Sequence, residues 1–106
     1  MWITNAGFAD IFIIFARIED DRFISCFIVE KSFGGITLGE EEQKLGIHSS
    51  STRMLYIEDC KVPAENLLGG RNNGFYIAMN ALNVGRMKLG AGEITMMKKK
   101  VTLSVK

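Results

Sequence analysis

The sequence predicts an α+β fold, a partial antiparallel β-barrel or sandwich followed by a long C-terminal helix. Three observations carry that expectation. Apolar, β-branched and aromatic runs separated by turn residues occupy residues 8–62. The only proline, Pro63, closes that region. From residue 74 onward, apolar side chains recur at spacings of four and three, as on one face of a helix. Residues 8–62 therefore read as strands and turns, and residues 74–106 as a helix.

Ile11-Phe12-Ile13-Ile14-Phe15-Ala16-Arg17-Ile18 is apolar without alternation and reads as a strand covered on both faces. Glu19-Asp20-Asp21-Arg22 is a polar turn, and Phe23 to Val29 returns, so the pair reads as a β-hairpin. Gly34 and Gly35 break that strand, because glycine tolerates positive φ. Ile36-Thr37-Leu38 is a short strand at best, and Glu40, Glu41 and Glu42 read as a solvated loop. Ser51 to Val62 reads as a further strand, with Thr52, Met54, Tyr56 and Cys60 on one face and Arg53, Leu55, Ile57 and Lys61 on the other. Asn72 or Asn73 is placed to cap the helix that follows. Within it, Phe75, Met79, Leu82, Arg86 and Leu89 form the apolar stripe. Gly85, Gly90 and Gly92 each cost roughly 1 kcal/mol against alanine in a helix interior. They point to close approach of another helix or a ligand, with a break near Gly90–Gly92 as the plainer alternative. Lys98, Lys99 and Lys100 suit the negative end of a helix.

The composition, 47% hydrophobic and 24% charged, is that of a folding chain rather than a disordered one. Six Met and seven Phe in 106 residues suit either partner-facing surface or a well-filled core. With 13 basic against 12 acidic residues, no global field is available to steer nucleic acid or membranes. Cys26 and Cys60 have neither metal-ligand spacing nor the density of a disulfide framework, which fits a reducing compartment. The longest apolar run, Ile11 to Ala16, falls far short of a membrane span, and no basic segment precedes an apolar one at the start. A cytoplasmic location is expected, or the mitochondrial matrix in a eukaryote. A few strands and one helix do not close a core, so the sequence is expected to be an internal piece of a larger protein.

Several segments resemble acyl-CoA dehydrogenases. Met1-Trp2-Ile3-Thr4-Asn5-Ala6-Gly7 is similar to the family's W-I-T-N/S-x-G segment. Phe27-Ile28-Val29-Glu30 followed by Gly35-Ile36 resembles its next strand and turn. Gly46-x-x-x-Ser50-x-Thr52-Arg53 and Glu58-Asp59-Cys60-Lys61-Val62-Pro63-Ala64-Glu65-Asn66-Leu67-Leu68-Gly69 resemble the later barrel strands and linker. Gly74-Phe75 and Asn83-Val84-Gly85-Arg86 look like the opening helix of the C-terminal domain. Each motif alone is weak, but together and in order they are specific up to about residue 92; residues 93–106 carry no diagnostic motif.

The resemblance implies FAD as cofactor and α,β-dehydrogenation of a fatty acyl-CoA thioester in β-oxidation. In such a reaction a glutamate removes the α-proton and the β-hydrogen leaves as hydride to the flavin. Electrons then pass to an electron-transferring flavoprotein, and the complete protein is a homo-oligomer. Trp2, Ile3 and Thr4 become the cofactor-binding segment, with the indole against the isoalloxazine and the threonine hydroxyl near N5. Without the resemblance, Trp2 is a core residue and Thr4 an ordinary strand residue. Asn83 and Arg86 become substrate-binding residues. Arg86 stands on the apolar stripe, where an unpaired charge is costly, and otherwise reads as an arginine snorkelling to solvent. Glu42 becomes a contact for the electron-accepting flavoprotein. Some branches carry the catalytic glutamate at the position of Gly85; glycine cannot be a base, so no catalytic residue is named in this sequence and the base is expected outside it. His48, the only histidine, reads as a polar loop residue, and Ser49-Ser50-Ser51-Thr52 lacks the spacing of a phosphate loop. No metal site is expected. A non-enzymatic β-sandwich interaction module with a basic helical tail is the alternative; it explains the strands and lysines but not Trp2-Ile3-Thr4 ahead of Asn83 and Arg86.

Overall fold

The computed structural model describes residues 1–104, with side chains through Lys99. The strands are β1 (Trp2–Thr4), β2 (Ile11–Ala16), β3 (Ser25–Glu30), β4 (Ile36–Glu41), β5 (Thr52–Ile57) and β6 (Leu67–Leu68), followed by helix α1 (Gly74–Ser104). Single 3-10 turns occupy Lys31–Phe33 and Ala64–Asn66. The strands form two three-stranded antiparallel sheets, ordered β1-β5-β4 and β2-β3-β6. Among the described residues the sheets face each other as an open sandwich and do not close into a barrel. Phe12 and Val29 from one sheet and Leu55 from the other form the core with Ala6. Burying a large apolar side chain in this way contributes roughly 1.5–3 kcal/mol.

The β2–β3 hairpin forms as expected, with Phe12 opposite Val29 and Ile14 opposite Phe27. The expectation that β2 is covered on both faces is corrected: Phe12 is buried, while Ile11, Ile13 and Phe15 are exposed. β2 is an edge strand packed on one side only, and it stops at Ala16. β4 is longer than expected, reaching Glu41, so Glu40 and Glu41 belong to a strand and not to a loop. β5 is shorter than the expected Ser51–Val62 strand and ends at Ile57. Asp59 takes a left-handed conformation with φ 51°, which no β ladder accommodates. The expected face assignment on β5 holds at its centre, with Leu55 buried and Tyr56 exposed, and fails at Cys60, which lies beyond the strand and packs against the same core as Leu55.

The linker is fastened to β3 at several points. Asn66 Nδ2 donates to Ile28 O (2.8 Å), and the Asn72 backbone N–H donates to the buried Ser25 hydroxyl (2.8 Å). Arg71 grips Asp21 in the β2–β3 turn through Nε–Oδ2 (2.6 Å) and Nη2–Oδ1 (2.9 Å). The helix is not capped by an asparagine oxygen as expected. Asn73 precedes it, but its amide nitrogen donates to Gly69 O (2.8 Å). The first helical amide, Gly74 N–H, is satisfied by Ile24 O (2.9 Å) beside β3. That approach needs glycine, since a Cβ at residue 74 would stand 2.8 Å from Ile24 O.

Helix α1 is continuous through Gly90 and Gly92, which sets aside the expected alternative of a break there. A Cβ at Gly85, Gly90 or Gly92 would meet nothing within 4 Å. The glycines therefore face open space among the described residues, not a packed neighbour. Leu82, Val84, Met87, Leu89, Ile94, Met96 and Met97 are all exposed.

Candidate functional site

β1 is the outer strand of its sheet and lies antiparallel to β5, with Trp2 opposite Met54, Ile3 opposite Arg53 and Thr4 opposite Thr52. Alternation sends Ile3 against the core, while Trp2 and Thr4 stay exposed on the outer face. The strand ends at Asn5, which turns the chain with φ 61°. The Trp2 side chain does not pack into the core. Its indole Nε1 donates to Glu42 Oε1 at 2.8 Å, a bond strengthened by the carboxylate charge. Among the described residues the Thr4 hydroxyl has no partner, and nothing pairs with the outer backbone edge of β1.

Glu41, beside Glu42, is the most heavily bonded carboxylate of this sheet. Oε1 accepts from the Thr52 backbone N–H (2.7 Å), and Oε2 accepts from Ser51 Oγ (2.8 Å) and Arg53 Nε (3.1 Å). The Thr52 amide, then Ser51 and the Arg53 guanidinium, hold its carboxyl below the usual range. Lys44 Nζ donates to Ser50 O and to Thr52 Oγ1, folding the β4–β5 loop back on itself. His48 is exposed, as expected for a loop residue, and Nε2 lies 2.6 Å from Lys44 O. The expectation of a merely solvated glutamate cluster is thus corrected at Glu41 and Glu42, whose donors come from strands distant in sequence.

Asn83 and Arg86 lie one turn apart on α1, and Arg86 Nη1 donates to Asn83 Oδ1 at 3.2 Å. Both are exposed, so the expectation that Arg86 stands on a packed stripe is not met within this chain: Leu82 and Leu89, its neighbours on the stripe, are exposed as well. The structure thus joins Trp2 to Glu42 and Asn83 to Arg86, while no hydrogen bond links the two pairs among the described residues. Cys26 is buried and Cys60 half-buried, both as free thiols, and burial pushes the Cys26 thiol up. No group of three or more metal-ligating side chains occurs among the described residues. Among the described residues no helix is long and apolar enough to cross a membrane.

The family model for the acyl-CoA dehydrogenase middle domain matches residues 1–60, which contain β1 to β5 and the Trp2–Glu42 pair. The chain belongs to the acyl-CoA dehydrogenase family. It is 50% identical over 103 residues to a probable acyl-CoA dehydrogenase of Bacillus subtilis, covering 97% of this chain and 17% of that protein. It is 46% identical over 99 residues to the mitochondrial very long-chain specific acyl-CoA dehydrogenase of Rattus norvegicus, covering 86% of this chain and 15% of that one. The crystal structure of an acyl-CoA dehydrogenase from Bacillus anthracis complexed with FAD superposes with a TM-score of 0.81 at 54% identity, over 86% of this chain and 16% of that one. The chain thus spans about a sixth of the length of these relatives.

The outer edge of β1 fits a flat aromatic cofactor such as FAD. It offers an exposed ring, a free hydroxyl two residues away on the same face, and backbone groups with no strand beside them. These are the contacts through which a protein orients a flavin and tunes its electronics. Glu41 is the site residue that sequence reasoning missed. Its local context, three glutamates after a glycine, carries no signal for donors ten to twelve residues away.

Proposed function

We propose that the complete protein is an FAD-dependent oxidoreductase acting on CH–CH bonds, which dehydrogenates fatty acyl-CoA thioesters at the α,β position in β-oxidation. The observation that carries the reading is the outer edge of β1, where Trp2 and Thr4 stand exposed and the indole is held at its rim by Glu42. A ring held there is available for stacking, and the Thr4 hydroxyl is available to donate. In this reading Trp2, Ile3 and Thr4 hold FAD, which when bound supplies the acceptor for the β-hydride. Residues 1–69 are part of the middle β domain, and 70–106 are the linker and first helix of the C-terminal domain.

Asn83 and Arg86 bind and orient the acyl-CoA. The Asn83 Oδ1 bond fixes the guanidinium on the helix surface, leaving its other N–H groups for an anionic or carbonyl oxygen. Gly85 offers no base, so the proton is taken by a residue outside these 106. Glu42, at the indole rim, is the candidate contact for an electron-transferring flavoprotein, and the complete protein assembles as a homo-oligomer. The apolar length of α1 supports an assembly with further helices.

The test is expression of the complete gene product, its absorption spectrum, and turnover on a panel of acyl-CoA thioesters with an electron-transferring flavoprotein. A flavin spectrum with acyl-CoA-dependent reduction is expected. Arg86→Ala should lower kcat/KM by about a hundredfold or more, as for a lost partner of a buried charge pair, and Arg86→Lys should not rescue it, because lysine lacks the planar fork. If Arg86→Ala turns over like wild type, the substrate assignment on α1 is wrong. A complete protein without flavin removes the whole reading.

A further inference from the structure

Strand pairing alone does not fix the Trp2 ring. β1 is an outer strand, and Trp2 is 63% exposed. What holds the indole is Glu42, and a register irregularity puts Glu42 there. Leu38 lies opposite Leu55, yet Glu41 lies opposite Arg53, so three steps along β4 match two along β5. One extra residue is inserted at Gly39–Glu40, a β-bulge against Met54. A regular ladder continued from Leu38 and Leu55 would place Glu41 opposite Thr52 on the outer face. It would turn Glu42 to the face of Leu55, away from Trp2. The bulge reverses both placements. Glu41 comes to Arg53, and Glu42 N–H bonds to Thr52 O (2.9 Å) with its side chain on the face of Trp2.

The bulge has two visible supports. Gly39 lets the strands close, since a Cβ there would stand 3.1 Å from Met54 Cβ. The Glu41 carboxylate ties the end of β4 to three successive residues at the start of the partner strand, Ser51 just before it and Thr52 and Arg53 within it. We propose that Glu41 is a positioning residue: by gripping Ser51, Thr52 and Arg53 it holds the bulge that presents Glu42 to the Trp2 indole, and so sets the orientation of that ring. The use of the ring against a flavin rests on the function proposed above; the positioning does not.

Trp2 is the only tryptophan in the sequence, so its indole Nε1–H gives a single resonance in the 15N-labelled chain. The measurement is its chemical shift and solvent-exchange rate, with the backbone amide spectrum as a check on the fold. Glu42→Ala should move the signal toward that of a free indole and speed exchange about tenfold, the loss of one hydrogen bond. Glu41→Ala should produce most of the same change, Glu41→Gln, which keeps one acceptor oxygen, an intermediate one, and the double variant no more than Glu42→Ala alone. Arg71→Ala, which breaks the clamp beside the other sheet, should leave the signal unchanged and so separates positioning from general loosening. The proposal is overturned by a wild-type indole that already behaves as free or ignores Glu42→Ala. It is equally overturned by a wild-type-like signal in Glu41→Ala, or by an Arg71→Ala change as large as that of Glu41→Ala. No flavin takes part, so failure here is distinct from a complete protein that lacks flavin.

Discussion

Thr4 has a proposed role that can be tested apart from stability. Its hydroxyl is exposed and without a partner among the described residues, so Thr4→Val removes nothing that holds the sheet together. In the complete protein the same change should slow flavin reduction or shift the flavin spectrum, with about 0.5–1.5 kcal/mol at stake for one neutral hydrogen bond. Unchanged reduction kinetics together with an unchanged spectrum would remove Thr4 from the cofactor site. Gly35 is the opposite case. Its φ is +69°, and an added Cβ would lie 2.3 Å from Glu58 O and 2.8 Å from Cys60 N. Gly34 also has positive φ, +77°, but a Cβ there meets nothing within 4 Å. Gly34→Ala should cost on the order of 1–3 kcal/mol from backbone strain alone, because φ +77° with ψ 176° is a conformation essentially reserved to glycine, and Gly35→Ala should cost more, because backbone must also move. Urea midpoints of the two variants check the ranking, and equal midpoints would refute the contact. The glycine pair was readable from the sequence as a turn; which of the two is crowded was not, since that depends on the chain returning at residues 58–60.

At the scale of elements, the Arg71–Asp21 clamp ties the β2–β3 turn to the linker ahead of α1. The hydrogen bond from Arg71, with its charge behind it, holds the Asp21 carboxyl below the usual carboxylate range. A group whose folded value is depressed contributes stability that is complete above its unfolded value, about 3.9, and is lost as pH falls through the folded one. Asp21→Asn should therefore destabilise the chain most at neutral pH, and the gap to wild type should close as pH falls below about 4. Urea midpoints at pH 7, 4 and 2 test this, and a gap that stays constant across the series would assign the effect to something other than ionisation. The elements themselves were unevenly legible. The β2–β3 hairpin could be read because two unbroken apolar runs flank four polar residues. β4 was read too short because Gly39 and three glutamates look like a loop, whereas Glu41 is tied to Ser51, Thr52 and Arg53 at the start of β5 and Glu42 to Trp2 on β1. β6 is two residues long and exists only through its pairing with Cys26 and Phe27. On α1, periodicity showed which residues share a face with Arg86 but not whether anything covers that face.

Across the whole molecule, the two halves of the candidate site sit on parts that differ in how they are supported. The Trp2–Thr4 edge belongs to a sheet with a core behind it, while Asn83 and Arg86 lie on a helix where Leu82, Val84, Met87 and Leu89 are exposed. Dehydrogenation requires a base, a bound thioester and a flavin held together within reacting distance, and most of the rate enhancement is lost when they are not. Among the described residues nothing faces Arg86 from another element, and Gly85 beside it carries no side chain to act as a base. The 106 residues by themselves should accordingly show no dehydrogenation of acyl-CoA thioesters of any chain length, and should bind FAD far more weakly than the complete protein does. Turnover assays with an artificial electron acceptor and titration of FAD fluorescence would measure both. Turnover by the purified chain would mean that these residues contain the base, and the assignment of that role to a residue elsewhere would fall. Tight FAD binding without turnover would mean instead that the outer edge of β1 supplies most of the cofactor's binding energy unaided.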